Sequence, residues 1–128
     1  MTVSRADIRE YLCEVKSAIR RNRYRIDRNP NRQANIDLFT DYIIDESDAR
    51  QILLGLETDD FSEVRQNDHV GYEHELLYIF GKDVMLTERF GTTEKMVPLY
   101  IKFNKLKNQY VIVISFHEQR FPLSYYFK

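Results

Sequence analysis

This 128-residue chain has a single cysteine and no long apolar run, and its first residues do not resemble a signal peptide. Each of these features excludes a class of protein. Cys13 is the single cysteine, so an internal disulfide cannot form and a metal site cannot depend on thiolate ligands. No apolar run approaches the roughly 20 residues that a membrane span needs. Ser4, Arg5 and Asp7 follow closely on Met1, which is unlike a signal peptide. We therefore expect a cytoplasmic protein with no membrane association.

Length and composition favour one globular domain that covers residues 1–128. Charged residues make up 30% of the chain and hydrophobic residues 43%, which is typical of a folded protein rather than a disordered one. A chain of this size can bury a core without disulfides or metals. The sequence shows no internal repeat, low-complexity tract or domain linker.

The net charge of −1 conceals a strong asymmetry along the chain. Residues 1–33 carry nine basic and four acidic side chains, and residues 96–128 carry five basic and one acidic. The middle segment, residues 34–95, carries five basic and fifteen acidic side chains. Phosphates are expected to be attracted to the basic ends, and a basic protein partner to the acidic middle.

The strongest pattern in the chain is a predicted β-hairpin at residues 97–118. Apolar and polar residues alternate in both arms, which is typical of strands with one buried face. With residues 107–108 at the centre of the turn, Ile101 lies opposite Ile114; a longer loop of even extra length would preserve the same facing. We expect the first helix to cover the apolar face. This face consists of Leu99, Ile101, Phe103, Ile112, Ile114 and Phe116.

Helices are predicted in the first part of the chain. Ser4 and Asp7 form a near capping box before an amphipathic segment with apolar residues at helical spacing. Shorter helices are predicted at residues 32–44 and, after a cap at Asp45 or Ser47, up to Leu54.

Strands dominate the rest of the chain. Residues 24–27 are read as a short edge strand and residues 72–84 as the first central strand, while the stretch 56–67 fits either a helical turn or a strand. A final strand is predicted at residues 123–127. Helices followed by strands predict an α+β fold, with N-terminal helices packed on one face of a C-terminal antiparallel sheet of about four strands.

The second face of the hairpin gathers three ionisable side chains, those of Tyr100, Lys102 and His117. A phenol, an ammonium and an imidazole on one face can transfer protons and neutralise an anion. An ordinary solvated sheet face is the plainer interpretation. Glu73, which we place on the first central strand, is a candidate general base and fits a solvated position equally well.

Metal and cofactor chemistry find little support in the sequence. His69 and His74 lie five residues apart, His117 is distant from both, and no carboxylates stand at matching positions. The chain has no Gly-rich phosphate loop and no GxSxG motif. We therefore predict no metal and no cofactor.

Metal-free cleavage of RNA is the chemistry that remains. The 2′-hydroxyl of RNA attacks its own phosphodiester when one group removes its proton, another neutralises the phosphorane, and a third protonates the leaving oxygen. The candidate catalytic residues are Tyr100, Lys102, Glu73 and His117. The candidate RNA-binding residues are Arg20, Arg21, Arg23, Lys82 and Arg120.

Four short motifs resemble those of one protein family. They are ILLGL at residues 52–56, DH at 68–69, LYIK at 99–102 and VISFH at 113–117. Together they are similar to the MqsR-like toxins of the RelE-type mRNA-interferase superfamily, over about residues 45–119.

The resemblance implies a RelE-like fold and a toxin of a bacterial toxin–antitoxin pair. Such a toxin cleaves mRNA without metal and is silenced by its cognate antitoxin. Tyr100 falls at the family's catalytic tyrosine, and His117 falls where MqsR proteins have a lysine. A catalytic lysine of the family falls near Ser62 or Glu63, and a catalytic glutamine near Glu73, so this chain departs from the pattern at both places.

A binding protein without catalytic activity is the alternative. In that interpretation the acidic middle segment, or an edge of the sheet, docks a basic partner. The same acidic surface would serve as the antitoxin site of a toxin, so partner binding alone does not separate the two hypotheses.

Overall fold

A computed structural model describes residues 2–128, which form three α-helices and one five-stranded mixed sheet. The α+β class is as predicted. The helices are α1 (Arg5–Arg20), α2 (Gln33–Asp41) and α3 (Glu46–Leu54). The strands are β1 (Tyr24–Ile26), β2 (Phe61–Gln66), β3 (Leu76–Thr87), β4 (Glu94–Lys105) and β5 (Val111–Glu118), with a 3-10 turn at Thr58–Asp60 before β2.

The two best-defined helices begin at the predicted caps. Ser4 accepts a hydrogen bond from the Asp7 backbone N–H, and the Asp7 carboxylate accepts from the Ser4 N–H, which completes the capping box of α1. Asp45 and Asp48 form the same reciprocal pair at the start of α3. Gly55 follows α3 as its C-cap. No helix in residues 2–128 is both long and apolar enough to cross a membrane.

The strand order is β1-β5-β4-β3-β2, and β1 is the edge strand that the sequence predicted. The predicted antiparallel sheet is in fact a mixed sheet, because β1 runs parallel to β5, with Tyr24 opposite Val111 and Ile26 opposite Val113. The other three pairings are antiparallel. Three alternating residues indicate a strand but carry no signal for its direction, which depends here on the path of the whole intervening chain.

The hairpin of β4 and β5 forms, but its predicted register is wrong. Its loop has three residues, 107–109, closed by a hydrogen bond from the Leu106 N–H to the Tyr110 carbonyl, and Gln109 adopts a left-handed φ of 69°. A β-bulge then makes Ile114 the extra residue, because Phe103 pairs with Val113 and Lys102 pairs with Ser115.

The bulge exchanges the faces of β5 partway along the strand. Val111, Val113 and Phe116 therefore join Leu99 and Ile101 in the main core, whereas the predicted members Ile112 and Ile114 do not. The core also takes in buried side chains of all three helices. They are Ile8, Tyr11, Leu12, Val15, Ala18, Ile19, Leu38, Ala49 and Leu53.

The C-terminal segment, residues 119–128, crosses the sheet instead of extending it, so the strand predicted at 123–127 is wrong. Its alternation reflects burial: Leu123, Tyr125 and Phe127 are half-buried, whereas the residues between them are exposed. One backbone hydrogen bond, from the Tyr126 N–H to the Phe61 carbonyl, links the segment to β2. Periodicity of two reports a chain lying on a surface as readily as a chain in a ladder.

Candidate active site

The floor of the candidate site is the face of β4 and β5 that points away from the main core. Tyr100 lies opposite His117 in the ladder, and Lys102 lies opposite Ser115. The rings of Tyr100 and His117 stack with centroids 5.2 Å apart and an interplanar angle of 13°. Directly opposed residues share a face of a sheet, so the predicted phenol, amine and imidazole are brought together.

The amino-terminal end of α2 forms one wall of the site, and hydrogen bonds of Asn35 connect this wall to the bulge in β5. The Asn35 side-chain amide donates hydrogen bonds to the Asp27 and Ile114 carbonyls, and its carbonyl oxygen accepts one from the Phe116 N–H. Because β1 ends at Ile26, the Asn35 side chain supplies hydrogen-bond partners for the β5 backbone groups beyond that point. Asn35 is 1% exposed, and Arg32, at the N-cap of the same helix, lines the cleft.

A bulge in β2 shapes the opposite side of the floor. Phe61 pairs with Phe80 and Glu63 pairs with Ile79, so Ser62 is the extra residue and donates a hydrogen bond to the Ser124 carbonyl. Phe61 thereby enters the core while Glu63 and Arg65 line the cleft. The sequence alone fits either a helical turn or a strand here, and the structure shows the strand.

The C-terminal segment forms the second wall. Gln119 holds its start by donating a hydrogen bond to the Leu99 carbonyl, and its side-chain oxygen accepts one from the Leu123 N–H. Tyr125 lies against Gly81, where an added Cβ would overlap the phenol oxygen and sit 2.8 Å from Leu123. The absence of a Cβ at Gly81 thus allows Tyr125 to approach the sheet closely, and the wall places Arg120 beside the cleft.

The resulting cleft has a volume of about 660 Å³ and a cationic lining. Among the residues that the structure describes, four cationic side chains and one carboxylate line it, and the carboxylate, Glu63, already accepts a 2.6 Å hydrogen bond from Arg65. The amino terminus of α2 adds its positive dipole end at the rim. The cations are Arg32, Arg65, Lys102 and Arg120. Such a cleft suits a polyanion.

His117 is held in one tautomer. Its Nδ1 lies 2.8 Å from the Glu118 carbonyl oxygen, which can only accept, so Nδ1 carries the proton and Nε2 keeps a free lone pair. Burial lowers the pKa of His117, the Glu118 hydrogen bond partly opposes this, and the positive charges of Arg120, Lys102 and Arg32 lower it further. The imidazole is therefore neutral, and able to accept a proton, near pH 7.

Burial shifts the pKa values of the two other floor residues in opposite directions. The pKa of Tyr100 is raised, chiefly by burial, with Arg65 opposing and Glu63 reinforcing the shift, so its phenol stays protonated. The pKa of Lys102 is lowered by burial and then by Arg32 and Arg65, with Asp68 opposing. Perturbed groups clustered in one cleft are typical of functional sites.

The remaining predicted site residues lie elsewhere. Glu73 is in the loop before β3 rather than on a strand, and its carboxylate accepts a hydrogen bond from the Gly71 N–H. Lys82 pairs with Leu99 on the other face of the sheet and bonds to Asp60 at 3.3 Å. The three arginines at the end of α1 and just beyond it do not line the cleft. These are Arg20, Arg21 and Arg23.

Arg32 and Arg65 line the cleft but are not among the site residues that the sequence predicts. Neither arginine belongs to a recognisable motif, because Arg32 follows a turn and Arg65 lies in the stretch 56–67, which fits either a helical turn or a strand. The sequence leaves the second face of the hairpin either open or lined by residues 56–68, and the structure shows that Glu63 and Arg65 of that stretch line it.

Fold and site together define an α+β protein with a cationic cleft that holds a neutral imidazole, a protonated phenol and an amine. Neither a scan against protein-family models nor searches of curated proteins and of solved structures found a match. Residues 2–128 contain no group of three or more metal-binding side chains placed to hold an ion.

Proposed function

We propose that the protein is an endoribonuclease that cleaves mRNA without a metal ion, acting as the toxin of a bacterial toxin–antitoxin pair. The observation that carries the proposal is the stacked Tyr100–His117 pair in a cleft lined by Arg32, Arg65, Lys102 and Arg120. Proton-transfer groups lie there beside charges suited to a phosphate. The motifs shared with MqsR-like toxins support the same class and a RelE-like arrangement of helices on the sheet.

His117 is the general base in this proposal. Its free Nε2 removes the proton of the 2′-hydroxyl, whose oxygen attacks the adjacent phosphorus. Tyr100, whose raised pKa keeps it protonated, donates a proton to the 5′ oxygen as the bond from phosphorus to that oxygen breaks. The products are a 2′,3′-cyclic phosphate and a 5′-hydroxyl.

Lys102 and the arginines stabilise charge. As the phosphorane forms, an additional negative charge develops on its non-bridging oxygens, and the neighbouring cations offset that charge. Arginine binds phosphate oxygens in a bidentate manner, whereas the Lys102 ammonium acts as a point charge on the floor. The family's lysine is absent near Ser62, and in this proposal Arg65 supplies a positive charge nearby.

Expression in bacteria and cleavage in vitro test the proposal. Expression of the chain should arrest growth, and His117→Ala should relieve the arrest. The purified protein should cut a single-stranded RNA in the presence of a chelator and leave intact the same oligonucleotide with a 2′-deoxyribose at the cleaved position.

His69→Ala is the matched control, because His69 is an exposed histidine in the loop after β2 and lies outside the cleft. It should retain full toxicity. Undiminished toxicity of both His117→Ala and Tyr100→Phe would overturn the assignment of the site.

A partner-binding module is the second candidate, and an exposed apolar end of the β3–β4 hairpin favours it. Met85 and Met96 pair across the strands, each 55% exposed, and Phe90 in the loop is 84% exposed. Together with the acidic middle segment, this surface suits a basic partner, including an antitoxin. Purified protein that leaves RNA intact but binds such a partner in a fixed ratio would favour this candidate.

A further inference from the structure

Phe121 is exposed where a folded chain usually buries a phenylalanine. It is 80% exposed and lines the cationic cleft beside Arg120. Hydrogen bonds hold the chain just before it to β4: the Gln119 N–H donates to the Pro98 carbonyl, and the Gln119 side chain donates to the Leu99 carbonyl. An aromatic ring is thus presented to solvent from an anchored wall.

The backbone on both sides of Phe121 is restrained. Phe121 precedes Pro122, and a residue before proline is restricted to extended conformations. Downstream, the Ser62 hydroxyl donates to the Ser124 carbonyl, and the Tyr126 N–H donates to the Phe61 carbonyl. The backbone is therefore held on both sides of the ring, so the segment has little backbone freedom to lose when a ligand contacts it.

The charge around the ring decides what it binds. Four cations and one carboxylate line the same cleft, which disfavours an apolar or basic ligand and favours a polyanion that also offers flat apolar surfaces. Single-stranded nucleic acid has this combination, with phosphates for the cations and bases that stack on aromatic rings.

We propose that Phe121 is a stacking platform for an unpaired nucleobase of the RNA, next to the phosphate held by the cationic cleft. This inference rests on the proposed function and adds to it the substrate class: single-stranded RNA with a base displaced onto the C-terminal wall. Phe121 is a substrate-binding residue in this assignment and takes no part in proton transfer.

The absence of tryptophan from the chain provides a direct test. Phe121→Trp introduces a single indole at the proposed platform, and Phe90→Trp introduces one at a position of similar exposure, 84%, outside the cleft. The ligand is a single-stranded RNA carrying 2′-deoxyribose at the cleaved position. Its addition should quench the fluorescence of Phe121→Trp and leave that of Phe90→Trp unchanged.

A series of abasic oligonucleotides then identifies the base. Removal of one particular base should abolish the quenching and weaken binding about tenfold, with little effect from removing other bases. Phe121→Ala should weaken binding of the intact oligonucleotide by a similar factor and bind the abasic one like the unaltered protein. The Michaelis constant should rise while kcat stays within about twofold.

The outcomes separate the two proposals. Normal cleavage by Phe121→Ala, with unquenched Phe121→Trp fluorescence in the RNA complex, would overturn the stacking platform and leave the proposed nuclease intact. A protein that neither binds nor cuts RNA in any form would overturn the proposed function and the platform with it. Quenching by a protein partner but not by RNA would assign the ring to that partner instead.

Discussion

A histidine in this cleft is kept neutral by its neighbours. Burial and three nearby cations lower the pKa of His117, and the bond to the Glu118 carbonyl leaves Nε2 to accept a proton. The pKa of Tyr100 is raised, so the pKa values of the proposed base and the proposed acid are shifted in opposite directions. Two titratable groups separated in this way can hold opposite protonation states at one pH.

The pH dependence of cleavage is the first prediction. The value of kcat/KM should be constant around pH 7 and fall as the pH drops through the lowered pKa of His117, with a midpoint below about 6.5, the usual histidine value. The alkaline limb should begin with loss of the Lys102 charge, because the pKa of Lys102 is lowered from its usual value of about 10.5, whereas the raised pKa of Tyr100 keeps the phenol protonated to higher pH. Steady-state rates from pH 4.5 upward would measure the acid limb.

His117→Gln should remove the acid limb together with most of the rate, and His69→Ala should leave the profile unchanged. A midpoint above 6.5 would contradict the neutral-base assignment.

Stability offers a second measurement. The unfolded chain binds the His117 proton more readily than the folded chain does, so the free energy of unfolding should decrease as the pH falls below the pKa of His117 in the unfolded chain. His117→Gln should reduce that decrease.

At the scale of elements, one buried asparagine replaces a missing length of strand. β1 ends at Ile26, and Asn35 supplies hydrogen bonds to the Ile114 carbonyl and the Phe116 N–H beyond that point. The bulge at Ile114 and the α2 amide therefore depend on each other. Their joint effect places Arg32 on one side of the cleft and Ser115 and His117 on its floor.

The second prediction concerns this contact. Asn35→Ala should lower the free energy of unfolding by about 2–4 kcal/mol, because it leaves buried backbone groups without partners. Asn35→Asp retains an acceptor for the Phe116 N–H but loses both donated bonds, and should also be destabilised. Denaturant titration followed by circular dichroism measures the effect.

Thr40→Ala is the control on the same helix, since the exposed Thr40 hydroxyl donates only to the Ile36 carbonyl. It should change the free energy of unfolding by less than about 0.5 kcal/mol. Equal effects of the alanine variants at 35 and 40 would show that Asn35 has no special role in holding the bulge.

The elements themselves were largely predictable from local pattern, and the contacts between them were not. Capping chemistry located α1 and α3, and alternation located the hairpin and its polar face. The three-residue loop and the bulge at Ile114 each shift the phase of β5 by one residue, and neither has a local signal as clear as alternation. Beyond the bulge the two shifts cancel, so His117 still shares a face with Tyr100. Before the bulge only the loop shift acts, so Val113 lies on the opposite face from the one predicted.

At the scale of the whole molecule, the cleft assembles cations from four separate parts of the chain. Arg32 precedes α2, Arg65 is in β2, Lys102 is in β4 and Arg120 is in the C-terminal segment. Local sequence could not group Arg32 or Arg65 with the hairpin, because their proximity depends on the Asn35 contact and the Ser62 bulge. The cleft thus takes cations from both basic ends of the chain and one, Arg65, from the acidic middle segment.

The third prediction follows from this surface. If all four cations contact phosphates, the logarithm of the RNA binding constant should fall with the logarithm of salt concentration with a slope of about −3. Arg120→Ala and Arg32→Ala should each reduce the magnitude of the slope by about 0.7. Titration of a fluorescent oligonucleotide with a 2′-deoxyribose at the cleaved position, between roughly 50 and 300 mM salt, provides the measurement.

Arg20 and Arg21, at the end of α1, provide the matched comparison. They carry the same charge but lie outside the cleft, so Arg20→Ala and Arg21→Ala should change the slope much less than Arg120→Ala. Equal changes of the slope for the alanine variants at positions 20, 21, 32 and 120 would indicate that general surface charge binds the RNA. The cleft would then not be the RNA-binding site. Because base stacking is insensitive to salt compared with phosphate contacts, Phe121→Ala should weaken binding at every salt concentration while keeping the slope.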